Sequence, residues 1–265
     1  MPAKALKGLK YGFLLTLTAK STTLLTNRSV IMSSPPNTLQ AIAERPEKRE
    51  RRKEARPGEL LAAALDLFVE KGFAATRAEE VAQRAGVSKG TLFLYFPSKD
   101  ELFKAVVREH IGGTIRSAFG EVDSYPGTSS ELVHYMMLQW WERYGNTKAS
   151  GISKLMMSEA GNFPELAAFY QNEVIIPGHH LIQKVIERGM ASGEFRKVDV
   201  EYAVFSMLAP IMFLIMWKHS MSGCCPSGAP IDPQRYLAVQ ADIVAKGLLN
   251  PHFTSQTSPS AKKTT

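Results

Sequence analysis

The stretch Gly86-Val87-Ser88-Lys89-Gly90-Thr91-Leu92-Phe93-Leu94-Tyr95-Phe96-Pro97-Ser98-Lys99 restricts this chain more than any other part of it. A glycine stop, a serine placed to cap and an aromatic run ending at a proline specify a tight turn followed by a short helix. Leu92 and Phe96 lie four apart, share one face and are expected to pack inward. Lys89, Gly90, Thr91, Phe93, Leu94 and Tyr95 are left facing out or at the flanks. Lys89 supplies charge, Thr91 a hydroxyl and Tyr95 a phenol, while Gly90 has no side chain to hold a nucleic-acid backbone away. A helix-turn-helix that offers polar and aromatic groups to a DNA groove has this composition. The plainer reading is a packed helical hairpin with incidental surface aromatics. It leaves two capped short helices and this exposed set as a coincidence.

The residues upstream build the frame. Leu60, Leu61, Ala64, Leu65, Phe68 and Val69 recur at three- and four-residue intervals, which predicts an amphipathic helix with one buried stripe. Pro57 suits its first turn, and Gly72 is placed to end it in a left-handed conformation. Thr76 with Glu79 three residues on has capping-box spacing, so a second helix is expected from near Arg77, burying Val81, Ala82 and Ala85 and stopped by Gly86. Ser88 then caps the third helix.

Gly72-Phe73, Thr76, Val81-Ala82, Ala85-Gly86-Val87-Ser88-Lys89-Gly90-Thr91-Leu92-Phe93 and Tyr95-Phe96-Pro97-Ser98-Lys99-Asp100-Glu101-Leu102-Phe103 together resemble the DNA-binding domain of TetR/AcrR-family transcriptional regulators. The likeness is dense over about residues 54–114 and looser beyond. It implies a sequence-specific DNA-binding regulator without enzymatic activity or cofactor. Such a protein would be a ligand-responsive repressor, cytoplasmic, and a homodimer on a near-palindromic operator. By position, the resemblance implies that Thr76 contacts phosphate and that Lys89, Gly90, Thr91, Phe93 and Leu94 approach bases or sugars. Tyr95 and Lys99 would grip the backbone, and Arg77 and Ser88 belong to the same surface. The family often has tyrosine at Phe93 and a polar residue at Leu94. Contacts there must instead be apolar, for instance to thymine methyls.

Charge agrees with such a partner. The formal net charge is +7 and the pI about 9.3, which favours polyanions through counterion release. Arg45, Lys48, Arg49, Arg51, Arg52, Lys53 and Arg56 cluster just before the first helix, diluted by Glu47, Glu50 and Glu54. Arg52 and Arg56 could serve an arm along the DNA backbone or minor groove, or the cluster is a solvated, partly helical charge run; both readings stay open.

The chain is expected to divide into a disordered leader (1–44), the DNA-binding domain (54–114), a helical effector-binding and dimerisation domain (115–250) and a disordered tail (251–265). The leader holds a short apolar stretch, Phe13 to Leu17, behind Lys4, Lys7 and Lys10, too short and threonine-broken for a signal peptide. Met32 is expected as the natural start. Beyond Leu102 every segment carries helical periodicity, so the fold class is all-α. A fourth helix runs from Ser98 toward Phe119, loosened at Gly112-Gly113, and helices follow at Ser130–Tyr144, Ile152–Ala160 and from Pro164. A kink is expected at Pro177-Gly178 before that helix resumes through Met190. The last two helices start at Asp199, with Pro210 inside, and at Pro233. Val204 to Trp217 is nearly uncharged but spans only fourteen residues, against the roughly 20 that a membrane span needs. It reads as a buried helix meeting both its own core and a partner, and no membrane association is expected. The resemblance implies that the last two helices form a homodimer interface.

The middle helices are expected to enclose a pocket for a small apolar or aromatic, even cationic, effector. Its candidate lining is Met137, Trp140, Trp141, Tyr144, Met156, Phe169, Phe205 and Met212, with Met136, Met157 and Met216 of the same soft kind. For any one of these residues ordinary core packing is the alternative. Cys224-Cys225 reads as two free thiols between the last two helices, and His179-His180, His134 and His219 lack a ligand-type partner, so no metal site is expected. No phosphate-cradling loop, nucleophile elbow or paired-carboxylate motif is present. The competing function is a helical small-molecule-binding protein or enzyme with a vestigial DNA-binding hairpin.

Overall fold

A computed structural model describes residues 38–222 and 231–253, with side chains from 56 onward. Residues 1–37 of the expected leader, the tail after 253 and Cys224-Cys225 lie outside the described residues, as does the side chain of Arg52, whereas residues 38–44, expected as part of a disordered leader, are helical. Contacts divide the chain into residues 1–47 and 48–265, and the capped turn–helix segment and every later helix belong to the second unit.

The described residues are helical: α1 (Thr38–Ala75), α2 (Ala78–Arg84), α3 (Lys89–Tyr95), α4 (Lys99–Val107), α5 (Gly113–Ser124), α6 (Ser129–Trp140), α7 (Gly151–Glu159), α8 (Pro164–Tyr170), α9 (Ile176–Ala191), α10 (Val200–Met216) and α11 (Pro233–Leu248). An isolated antiparallel bridge, Phe195 to Leu249, is the one extended pairing among the described residues.

Local chemistry explains the turns around α2 and α3. Gly72 has φ 84° and ψ 170°, so the first helix stops there and a last turn reaches Ala75. Gly86, at φ 65°, ends α2, and the Val87 N–H donates to Ala82 O at 2.9 Å in a Schellman-type closure. Ser88 and Ser98 cap α3 and α4, accepting from Thr91 N and Glu101 N at 3.1 Å each. The cap of α2 differs from the expectation by one residue. Arg77 is the N-cap and its N–H donates to Glu80 Oε2 at 3.3 Å, while Thr76 is pulled into the core. Leu92 and Phe103 are fully buried, and the rings of Phe68, Phe73 and Phe103 meet pairwise with centroids 5.3–5.6 Å apart.

Position 114, the expected end of the DNA-binding domain, lies inside a helical run, like the helix expected from Ser98 toward Phe119. α4 passes through a π turn (Arg108–Gly112) straight into α5, so the loosening at Gly112-Gly113 is a widened turn. A second π turn (Gln171–Ile175) joins α8 to α9, one turn ahead of the expected kink. Pro177 has no N–H to donate and its ring crowds the carbonyl four residues back, so the helix widens before it.

α10 continues through a π turn into a helix spanning Val200–Met221, 22 residues, whose most apolar 18-residue window has mean hydropathy 1.8. It is therefore longer than the expected uncharged run, and by length and composition alone it could cross a membrane. A core helix with one partner-facing side has the same pattern.

The π turn ending α10 is tied down by polar contacts. Lys218 Nζ donates to Gly145 O (2.9 Å) and Thr147 O (2.8 Å), and His219 Nε2 shares a hydrogen bond with Ser150 Oγ at 2.8 Å. Burial, then the charges of Lys218 and Lys154, pushes the His219 pKa down from 6.5 to about 4. Between those values the unfolded chain binds a proton that the folded chain refuses. Stability should therefore fall as pH drops from 6.5 toward 4. In calorimetry across this range His219→Gln should flatten the decline in Tm; an equally steep decline in the variant would assign it to other groups.

Candidate nucleic-acid interface and ligand cavity

The outward face of α3 is apolar at its C-terminal end and charged at its start. Phe93 is 37% exposed, Leu94 84% and Tyr95 36%, beside a fully buried Leu92 and a half-buried Phe96. An added Cβ at Gly90 would meet only Ser88 Oγ, at 3.8 Å, so another backbone can approach it closely. Lys89 is exposed and pairs with Glu79 at 2.5 Å, and that hydrogen bond holds the Glu79 carboxyl below its usual range. Solvent screens an exposed pair of this kind, so Lys89 exchanges Glu79 for phosphate at little cost. Thr91 Oγ1 lies 2.9 Å from Ser88 Oγ. Arg77 is exposed at the start of α2. Arg56 borders a surface hollow shared with Glu59, Asp66, Arg84 and Gly86, where charges of both signs meet.

Two expected DNA contacts are reassigned. Thr76 is 1% exposed, and its hydroxyl lies within bonding distance of the Gly72 (2.7 Å) and Leu67 (3.2 Å) carbonyls. That side chain faces the core. The Lys99 ammonium is held by Phe73 O (2.8 Å), Thr76 O (3.1 Å) and Ala74 O (3.4 Å), and sits 4.3 Å from the Phe73 ring centroid. Its three N–H groups cap the turn after α1. The partners lie 23–26 residues away along the chain, beyond what local spacing can indicate.

The same turn is gripped from the C-terminal half. Glu159, the last residue of α7, accepts hydrogen bonds from Phe73 N and Ala74 N at 3.2 Å each. Phe163 packs edge-on against Phe73, with centroids 4.8 Å apart. Phe169, expected in the pocket, instead binds α4 to α8: Arg108 lies 4.9 Å and Lys104 5.9 Å from its centroid.

A cavity of about 550 Å³ opens between α5, α6, α7, α8, α9 and α10. Trp140, Tyr144, Met156, Met157, Phe205 and Met212 line it, as expected for all six. A smaller void of about 70 Å³ holds Met136 and Met137, with Tyr135, Glu121 and Arg143 at its polar side. Trp140, Gly178, Leu208 and Ile211 touch both and form the partition. Trp141 and Met216 line neither; Trp141 is buried and lies against Gly145. The residue pattern alone did not point to Ser153 and Tyr170, which face the large cavity beside Tyr144. Ser153, Met156 and Met157 on α7, with Ala160 just past its end, form a stripe that periodicity could have indicated; Tyr170 arrives from another helix. Among the described residues no group of three His, Cys, Asp or Glu side chains is placed to hold a metal ion.

Comparison with known proteins decides what this arrangement belongs to. Residues 60–106 match the family described as bacterial regulatory proteins, tetR family, and residues 136–245 match the AefR-like transcriptional repressor C-terminal domain. Between them the two stretches take in more than half of the chain. The chain belongs to the TetR family of transcriptional regulators.

Similarity concentrates in the reading head of this TetR-family regulator. It is 50% identical over 62 residues to the regulator RutR of Escherichia coli K12, covering 23% of this chain but only 29% of RutR. It is 26% identical over 206 residues to the repressor KstR2 of Rhodococcus jostii, covering 76% of this chain and 94% of KstR2. Its fold resembles that of Bacillus subtilis FadR in complex with stearoyl-CoA, with TM-score 0.57 and 17% identity, covering 72% of this chain and 98% of that one. Membership in a family of regulators sets aside the enzymatic alternative.

Proposed function

We propose that this TetR-family regulator is a cytoplasmic, ligand-responsive repressor that binds a near-palindromic DNA operator as a homodimer. One observation carries the reading. A helix capped by Ser88 and anchored by buried Leu92 presents Lys89, Gly90, Phe93, Leu94 and Tyr95 to the outside. Leu94 stands almost wholly outside the core at 84% exposed, and the set suits entry into a major groove.

The dimer reading rests on α10 and α11. Tyr202 (70%), Phe205 (49%), Val239 (51%) and Ile243 (57%) are large apolar side chains left exposed on them. A second copy related by a twofold axis would bury them and set two α3 helices about 34 Å apart. KstR2 is a repressor and FadR holds stearoyl-CoA, which supports repression relieved by a ligand in the α5–α10 cavity. Coupling would run through α7. Its Ser153, Met156 and Met157 face the cavity, and its terminal Glu159 holds the turn after Gly72. A ligand shifts the equilibrium only by its difference in affinity for the two states.

Fluorescence anisotropy with duplexes from upstream of the reading frame tests the proposal. A preferred site should emerge, and log K should fall steeply and linearly with log salt, as counterion release requires. A correctly folded protein that binds every duplex equally, or none at low salt, would refute the regulatory reading.

A further inference from the structure

We infer that the effector is an uncharged, largely apolar molecule whose accepting oxygen docks on the hydroxyl chain Tyr144–Ser153–Tyr170 in the large cavity. The inference rests on the reading of that cavity as the effector site and specifies its ligand.

Two observations lead there. The first is the lining. Among the described residues no Asp, Glu, Lys or Arg borders the cavity, and its polar side chains are Tyr144, Ser153, Tyr170, Gln171 and His179. A carboxylate or ammonium placed here would lose its hydration without gaining a counter-ion, which is costly. Burial also lowers the pKa of His179, so it supplies no positive charge near neutral pH. Trp140 and Tyr144 rest against each other, with centroids 5.2 Å apart and planes tilted by 52°.

The second observation is the count of hydroxyl protons. Ser153 Oγ lies 2.7 Å from Tyr144 OH and 3.0 Å from Tyr170 OH, and all three residues are buried. Three hydroxyls bring three protons, and the two hydrogen bonds between them use two. Among the described residues the third proton can reach only the other phenol, a weaker contact than the two through Ser153, and all three side chains border the cavity. Burial raises both phenol pKa values, so the groups remain donors. A buried donor with so weak a partner gains from a better-placed acceptor. A ketone, ether or hydroxyl oxygen at this end completes the set, while the methionine and aliphatic walls take the apolar remainder.

A matched set of probes on one skeleton tests this: benzophenone, diphenylmethane, 4-benzoylbenzoate and 4-(trimethylammoniomethyl)benzophenone. Each is titrated into the full chain by calorimetry and, in parallel, into its operator complex by anisotropy. Benzophenone should bind about tenfold tighter than diphenylmethane, the order of one buried hydrogen bond. Both charged analogues should be weaker still, and Ala167→Trp, which fills the cavity, should abolish binding. Ser153→Ala should remove the ketone's advantage without weakening the hydrocarbon. Should that variant misfold, the ketone-to-hydrocarbon ratio in the unaltered protein decides. Equal binding of ketone and hydrocarbon, tighter binding of a charged analogue, or no binding by any probe overturns the inference. Ketone binding with the expected selectivity but without DNA release would instead overturn the effector reading and leave the cavity's ligand chemistry standing.

Discussion

Replacing Leu94 by glutamate is expected to weaken operator binding by about a hundredfold or more, since like charges brought together at an interface cost several kcal/mol and each ~1.4 kcal/mol is a factor of ten. Leu94 is 84% exposed at the end of α3, so the fold itself asks nothing of its side chain. A surface substitution of this kind changes stability by roughly 0.5 kcal/mol, or Tm by about 1–2 °C. The carboxylate would face phosphate in the groove where the leucine offers only methyl groups. Leu94→Lys is the control: it should retain or tighten binding to any duplex while losing preference for the operator. Anisotropy titrations with operator and scrambled DNA read both effects. If Leu94→Glu binds operator like the parent, α3 is not the reading helix.

The second large effect is expected at Gly72. At φ 84° and ψ 170° its backbone lies where side chains with a Cβ are strained. A Cβ there would also stand 2.3 Å from Glu159 Oε1, the atom that accepts from Phe73 N. The glutamate is flexible at its far end and can withdraw, but then Phe73 N and Ala74 N lose their acceptor. Strain of about 1–3 kcal/mol and weakened charge-assisted hydrogen bonds of similar size, partly offset by water at exposed Ala74, give a loss of roughly 2–4 kcal/mol for Gly72→Ala. Tm should drop by about 5–15 °C. Glu159→Gln separates the two causes, since it keeps the shape and removes the charge. It should cost about 1 kcal/mol and reduce the ligand's effect on DNA affinity, because it loosens the tie between α7 and the reading head. A Gly72→Ala protein as stable as the parent would remove the basis for this coupling route.

The reading head is legible in the sequence because its signals are local. Gly86, Ser88, Leu92 and Ser98 act on neighbours within one or two helical turns, and each takes the part that spacing predicts. Thr76 and Lys99 depart from expectation for the opposite reason. The chain doubles back after Gly72, so the Thr76 hydroxyl reaches the end of α1 and the Lys99 ammonium reaches carbonyls 23–26 residues earlier. The cavity lining divides in the same way. Trp140, Tyr144, Met156 and Met212 are recognisable from the soft character of their helix faces. Phe169 has that character too, yet it lies outside, against Lys104 of α4 and Arg108 of the π turn that follows.

By itself, the sequence determined the all-helical class, the capped turn–helix unit, its exposed face and the family, since these follow from periodicity and capping within short windows. Only the tertiary structure decided what meets across helices. Glu159 reaches the turn after Gly72 from 86 residues away, and Tyr144, Ser153 and Tyr170 converge from three separate segments. No local pattern encodes such meetings, because they depend on how whole helices pack, and packing is set by the summed burial of many side chains rather than by any spacing between two.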